Sequence, residues 1–168
     1  MAFRYFTALL VLSAPMLIHG FSKGAPTSAC DDMVPQHHVA AQTSKVPYDL
    51  VLSKNSIKAG DTIQITLKGK SAENKIKGLL VQARVGNSPV GKFSVPSNNP
   101  YAQTIDCGNG SFNTVTHTKI NGDGPDSVSF SWTAPKKLSE RVTFYYTVAL
   151  NGGVFWVAQK SEPLSVSA

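Results

Sequence analysis

Short segments rich in β-branched and aromatic residues, separated by Gly, Pro, Asn or Ser, fill the chain from residue 48 onward. They read YDLVL, TIQITLKG, GLLVQARV, SFNTVTHT, SVSFSW, RVTFYYTVAL and VFWVA. This composition and spacing are typical of strands bounded by turns. Because no helical pattern lies between them, they predict two packed antiparallel sheets. We expect an all-β, immunoglobulin-like antiparallel sandwich of about seven to nine strands.

Within these segments apolar and polar residues alternate, as in Thr62–Leu67, so each strand has one face suited to a core. The large aromatic residues of the predicted core are Trp132, Phe144, Tyr146 and Trp156. Tyr145 and Phe155 fall on the opposite phase and are predicted to form an exposed contact surface.

The segments between strands lead to three further predictions. Asn151-Gly152-Gly153 is expected to close a hairpin through positive φ angles. Residues 97–110, from Ser97 to Gly110, read as a long surface connection. Residues 21–47 have no sustained period and are expected to form an extended N-terminal lead.

The first 20 residues have the pattern of a secretory signal peptide. Arg4 precedes an apolar stretch that Pro15 interrupts, and Gly20 is a small residue at the expected cleavage position. No other apolar run is long enough to span a membrane. We therefore expect a signal peptide at residues 1–20 and one extracellular domain at residues 21–168. Removing Arg4 leaves 15 basic against 10 acidic residues, a net charge of +5.

Cys30 and Cys107 are the only cysteines in the sequence. An even number of cysteines in a secreted chain predicts a disulfide, and no neighbouring Cys or His cluster favours a reactive thiol or a metal ligand.

An ordered set of motifs along the chain resembles the reeler domain family. The set comprises GAPTSACDDMVPQHH, SKVPYDL, KGLLVQAR, THT, SFSWTAP and VTFYYTV, together with Cys107 and the strand that contains Trp156. Each motif is weak by itself, but their order extends the resemblance over essentially the whole predicted mature chain. The resemblance is to the stand-alone insect members, which are called defence proteins or nodulation factors.

This resemblance implies an immunoglobulin-like sandwich with a disulfide, matched here by Cys30 and Cys107, and a role in innate immunity. It implies binding of microbial surface material, such as lipopolysaccharide, lipoteichoic acid or β-glucan, and of haemocyte surfaces in the haemolymph. Haemocyte aggregation and antimicrobial activity are implied as outcomes. The alternative is an adhesion or signalling module of the extracellular matrix that has no immune role.

The strongest local charge bias lies at residues 54–77, where six lysines stand against Asp61 and Glu73, a balance of +4. Four of these lysines lie at a predicted strand end and the turn that follows it, and we predict that they contact phosphate or carboxylate groups of microbial envelopes: Lys68, Lys70, Lys75 and Lys77. The alternative is a solvated edge, since lysines also protect exposed strands from aggregation.

No residue pattern indicates catalysis. The acidic residues are scattered and no nucleophile motif is present, so we expect neither an enzyme nor a cofactor. The histidines of the predicted mature chain, His37, His38 and His117, lack the spacing of a metal site. Nucleic acid is not an expected partner, because no basic-aromatic recognition motif is present. Asn109 begins the only N-glycosylation sequon, Asn109-Gly110-Ser111.

Overall fold

The computed structural model describes residues 21–37 and 39–168. The predicted signal peptide and His38 lie outside the described residues. A short 3-10 turn, Thr27–Ala29, is followed by twelve strands. They are β1 (Tyr48–Leu52), β2 (Ser56–Lys58), β3 (Thr62–Gly69), β4 (Gly78–Val85), β5 (Ser88–Pro89), β6 (Lys92–Ser94), β7 (Ala102–Ile105), β8 (Thr114–His117), β9 (Ser127–Thr133), β10 (Arg141–Asn151), β11 (Val154–Lys160) and β12 (Leu164–Ser167).

The strands form two sheets, as the prediction of an all-β sandwich requires. The smaller sheet has the order β1-β3-β9-β6. The larger has the order β2-β12-β10-β4-β8-β7, with β11 paired to β10 and β5 to β4. All pairs are antiparallel except β2 with β12. The number of strands exceeds the seven to nine expected because β2, β5 and β6 are only two or three residues long, too short to show a periodic signal.

The core between the sheets contains the alternating residues that the sequence pattern selected. Ile63, Ile65 and Leu67 of β3 are buried, while Thr62 and Gln64 face outward. The four aromatic residues predicted for the core, Trp132, Phe144, Tyr146 and Trp156, are all buried. The Trp132 and Phe144 rings meet edge to face with centroids 5.3 Å apart, a geometry that favours close aromatic packing.

The outer face of the larger sheet is covered by the N-terminal segment, residues 21–47. Ala29 and Met33 of this segment pack on Leu80 of β4 in a second apolar cluster. The alternation in β4 predicted one buried and one exposed face, whereas seven of its eight residues are buried. The extended lead is therefore part of the fold.

Phe155 corrects the prediction of an exposed aromatic surface. It is fully buried, and its ring meets the edge of the His37 ring at 5.3 Å, because the N-terminal segment covers this face of β11. Tyr145 is half-buried, and its ring lies 5.1 Å from the Arg84 guanidinium and 5.0 Å from the Lys160 ammonium group.

Two predicted connections also differ in detail. The hairpin between β10 and β11 forms, but neither Gly152 nor Gly153 has a positive φ. Instead the Asn151 side chain accepts a hydrogen bond of 2.9 Å from the Gly153 N–H and supports the turn. The predicted surface connection at residues 97–110 contains β7, which pairs with β8.

Candidate functional site

The four predicted ligand-binding lysines lie at one end of the sandwich. Residues 68–77, here called the basic turn, connect the end of β3 to the start of β4. Backbone hydrogen bonds fix this connection, from Lys70 N to Pro47 O at 3.0 Å and from Ile76 N to Pro125 O at 2.9 Å. The structure thus brings the four lysines together on a connection tied to the fold.

Tyr48 holds the basic turn from the core side. Its hydroxyl donates a 2.7 Å hydrogen bond to the Lys75 carbonyl, and the residue is only 1% exposed. Burial raises the pKa of Tyr48 to about 12, so this phenol remains a neutral donor at physiological pH.

The lysines of the basic turn differ in their partners. Lys70 forms an ion pair of 3.3 Å with Asp49, and Lys75 forms one with Asp126. The Lys77 ammonium donates to the Gly122 carbonyl. Lys68 is exposed and makes no ion pair within the described part of the chain. Among the four lysines, Lys68 and Lys77 therefore keep a positive charge without an acidic partner in the part of the chain that the structure describes, and Lys68 is the more exposed of the two.

A second site, which sequence analysis missed, lies between the N-terminal segment and the larger sheet. This N-terminal cleft has an empty volume of about 420 Å³, including the open space at its mouth. Most of its walls are apolar: Phe21, Ala25, Pro26, Ala29, Met33, Pro35, Leu79, Leu80 and Ala149. Apolar side chains on a segment without periodicity gave no signal of a shared cavity.

Two histidines line the N-terminal cleft in different states of pairing. His117 Nδ1 accepts from the Leu79 N–H at 3.3 Å, and its Nε2 lies 3.0 Å from the Phe21 carbonyl oxygen, to which it can donate. His37 Nδ1 is buried and has no hydrogen-bond partner. Desolvation lowers the pKa of His37; a backbone hydrogen bond at Gly152 opposes this effect, and the electrostatic interaction with His117 adds to it.

Three hydrogen bonds, two from Arg84 and one from Thr147, position the N-terminal segment over the cleft. The Arg84 guanidinium donates to the Cys30 carbonyl at 2.8 Å and to the Asp31 carbonyl at 3.1 Å, and it also bonds Gln82 Oε1. The Thr147 hydroxyl donates to the Met33 carbonyl at 2.8 Å. Because Arg84 is only 8% exposed, its charge is satisfied almost wholly within the protein.

The predicted disulfide between Cys30 and Cys107 is confirmed. It ties the N-terminal segment to the connection between β7 and β8. In that connection the Asn113 side chain bonds both the N–H and the carbonyl of Cys107, at 2.8 and 2.9 Å. Asn109 lies exposed on the same connection.

Within residues 21–37 and 39–168, no group of three or more His, Cys, Asp or Glu side chains could hold a metal ion. No helix in this part of the chain is long and apolar enough to cross a membrane.

Fold and disulfide together define a class, the bridged antiparallel β-sandwiches of the immunoglobulin-like type. The crystal structure of the reelin-N domain of F-spondin has a similar fold, with a TM-score of 0.61 and 14% identity, over 77% of this chain and 93% of that one. At this level of identity the likeness concerns the fold alone. The chain belongs to the reeler domain family, whose model matches residues 28–168.

Two insect relatives match nearly the whole chain. "Putative defense protein Hdd11" of Hyphantria cunea is 42% identical over 149 residues, which cover 88% of this chain and 90% of that protein. "Defense protein l(2)34Fc" of Drosophila melanogaster is 34% identical and covers 94% and 98%, respectively.

Proposed function

We propose that this protein is a secreted, non-enzymatic defence protein that adheres to anionic components of microbial surfaces through the basic turn. The names of the relatives support the defence role. The observation that supports the binding site is the gathering of Lys68, Lys70, Lys75 and Lys77 on one connection that the fold holds in place.

Adhesion of this kind rests on long-range attraction followed by repeated contacts. The basic turn carries four lysines against one acid, Glu73; such an excess of positive charge steers a domain toward anionic surfaces, and salt weakens that attraction. Each contact is weak, but a repetitive envelope allows many copies to bind one particle. Aggregation of haemocytes around such particles would follow if the domain or its assemblies also contact the cell surface.

Binding to lipopolysaccharide, lipoteichoic acid and β-glucan tests the proposal when a fourfold variant is compared with a charge-matched control. The test variant has serine in place of Lys68, Lys70, Lys75 and Lys77. The control replaces by serine four exposed lysines near the opposite end of β3 and β9, namely Lys54, Lys58, Lys136 and Lys137.

We expect the test variant to lose about tenfold or more in affinity for the two anionic ligands at low salt, and the control to lose much less. A lysine near an anionic surface contributes about 1 kcal/mol, and two of the four are already ion-paired. Equal losses in both variants would mean that net charge, and not the basic turn, governs binding.

Parallel binding to heparin separates defence from the matrix alternative. Tight heparin binding without binding to any microbial component would contradict the proposal and favour a matrix module. Haemocyte aggregation and bacterial killing assays with the same variants would show which outcome follows adhesion.

Secretion and glycosylation are part of the proposal. We expect protein recovered from insect-cell medium to lack the residues up to about Gly20 and to carry a glycan on Asn109, whose exposure supports access. The intact mass of the deglycosylated protein gives the cleavage position. The change in mass on enzymatic deglycosylation, compared with the Asn109→Gln variant, shows whether Asn109 carries a glycan. An uncleaved N-terminus or an unchanged mass after deglycosylation would contradict the corresponding part.

A further inference from the structure

The N-terminal cleft combines an apolar interior with an unsatisfied polar group. Most of its lining residues are apolar, with Phe21 and Met33 as the largest of them. The buried Nδ1 of His37 has no partner, although buried polar atoms are nearly always hydrogen-bonded. An apolar cleft with a few polar groups is the usual form of a small-molecule site.

Four polar side chains line the N-terminal cleft: Gln36, His37, His117 and Thr147. The Thr147 hydroxyl is already engaged, because it donates to the Met33 carbonyl and accepts from the Ala158 N–H. The two imidazoles and the exposed Gln36 amide are therefore the groups that a polar part of a ligand would meet.

Two exposed lysines lie close in sequence to Phe21 and His117, which line the cleft. Lys23 and Lys119 are exposed, and each lies two residues from one of these lining residues. Gln103 Nε2 joins the backbones at this point, donating to Lys23 O at 2.6 Å and to His117 O at 3.0 Å. Two exposed acids, Asp31 and Asp32, are as close in sequence to the lining residue Met33. Arg84 donates to the Asp31 carbonyl, and the Asp32 carboxylate accepts from the Val34 N–H.

We propose that the N-terminal cleft binds a medium-chain fatty carboxylate, with its chain among the apolar walls and its carboxylate beside His37. The chain would lie against Ala25, Met33 and Leu80. The carboxylate would accept a hydrogen bond from His37 Nδ1–H. The exposed Lys23 and Lys119 would favour the approach of an anionic over a neutral amphiphile.

Calorimetric titration with octanoate, decanoate and decanol tests this proposal. We expect saturable binding of one decanoate per chain. Affinity should rise about tenfold from octanoate to decanoate, as two more buried methylenes require. Decanol should bind more weakly than decanoate.

Two variants locate the ligand. Ala25→Phe places a ring in the cleft and should reduce decanoate affinity at least about tenfold. Ala72→Phe makes the same change on an exposed turn and should leave affinity unchanged. Lys23→Ser combined with Lys119→Ser should reduce decanoate affinity about threefold, as expected for exposed charge pairs, and leave decanol affinity unchanged.

Met33 gives a readout that does not depend on these variants folding. It is the only methionine among the described residues, and its side chain lines the cleft. Its labelled methyl resonance, assigned with Met33→Leu, should shift on decanoate addition in the wild-type chain. Absence of binding, or binding that leaves this resonance in place, would overturn the proposal.

Equal affinity for decanol and decanoate would overturn the assignment of a carboxylate. The proposed microbial adhesion does not depend on these outcomes, since it is tested by Lys68, Lys70, Lys75 and Lys77, which do not line the cleft.

Discussion

At the scale of single residues, side chains of one type have different roles in the basic turn. Lys70 and Lys75 are paired with Asp49 and Asp126, which lie far from them in the sequence, while Lys68 has no such partner among the described residues. The local run of lysines predicted the charge correctly. It did not predict the partners, because they come from β1 and from the residue preceding β9.

Replacing these acidic partners tests whether the internal ion pairs of Lys70 and Lys75 weaken their binding to external anions. We expect the double variant Asp49→Asn, Asp126→Asn to bind lipopolysaccharide about threefold to tenfold more tightly at low salt, because two lysines lose their internal counter-charges. The gain should shrink as salt is added.

A charge-matched control is Asp61→Asn combined with Glu140→Gln, two exposed acids at the other end of the sandwich. If this control raises binding as much as the test variant, the paired lysines have no special role.

His37 gives a pH-dependent contribution to stability. Desolvation lowers its pKa in the folded protein below the ordinary value of 6.5. The unfolded chain therefore takes up a proton first as the pH falls, so the free energy of unfolding should decrease below about pH 6.5 and level off once folded His37 is also protonated.

Urea unfolding at several pH values between 8 and 4.5 measures this effect. His37→Gln should show a smaller loss of stability across the same range, because glutamine does not titrate. An identical pH profile in the variant would show that His37 has no part in it.

At the scale of elements, the N-terminal segment buries a face of β4 that the sequence pattern predicts to be exposed. Polar residues Gln82 and Arg84 alternate with apolar ones, a pattern that predicts one exposed face. Both residues are buried because the N-terminal segment supplies carbonyl partners for Arg84 and the disulfide fixes the segment nearby. The N-terminal segment, whose own sequence has no periodic pattern, thus supplies the partners that allow the polar residues of β4 to be buried.

Arg84→Met should loosen this segment without unfolding the sandwich. The change leaves the carbonyls of Cys30 and Asp31 and the side chain of Gln82 without a donor, a loss of about 3 kcal/mol in local stability. Amide exchange at Ala29, Cys30 and Met33, whose N–H groups bond within the segment, should rise about tenfold or more.

Arg141→Met is the matched control, because Arg141 is exposed. It should leave exchange at these amides unchanged. Unaltered protection in Arg84→Met would mean that the disulfide and the apolar contacts hold the segment without the guanidinium.

At the scale of the whole molecule, one covalent bond joins parts of the chain that the sheets leave separate. Cys30 and Cys107 are 77 residues apart in the sequence. Their bond fixes the N-terminal segment, which covers the larger sheet, to the connection between β7 and β8, close to the exposed Asn109. The disulfide therefore links the segment that covers the larger sheet to the connection that carries the sequon.

Removing the disulfide should lower global stability. A long cross-linked loop restricts the unfolded chain, and loss of such a bond from a small domain typically costs about 2–5 kcal/mol. We expect Cys30→Ala combined with Cys107→Ala to show this decrease in urea unfolding.

Reduction of the wild-type protein should reproduce the decrease, and a reductant should have no further effect on the variant. A variant as stable as the oxidised protein would contradict a stabilising role for the bond.

The sequence by itself determined the two-layered β architecture, the composition of its main core and the position of the disulfide. These follow from period-two patterns such as that of β3 and from an even cysteine count, which are local or simple properties. Only the tertiary structure decided that Phe155 and Arg84 are buried, that Lys70 and Lys75 are paired, and that His37 and His117 share a cleft. Each of these depends on contacts between segments far apart in the chain, and no local period specifies which distant segment covers a given face.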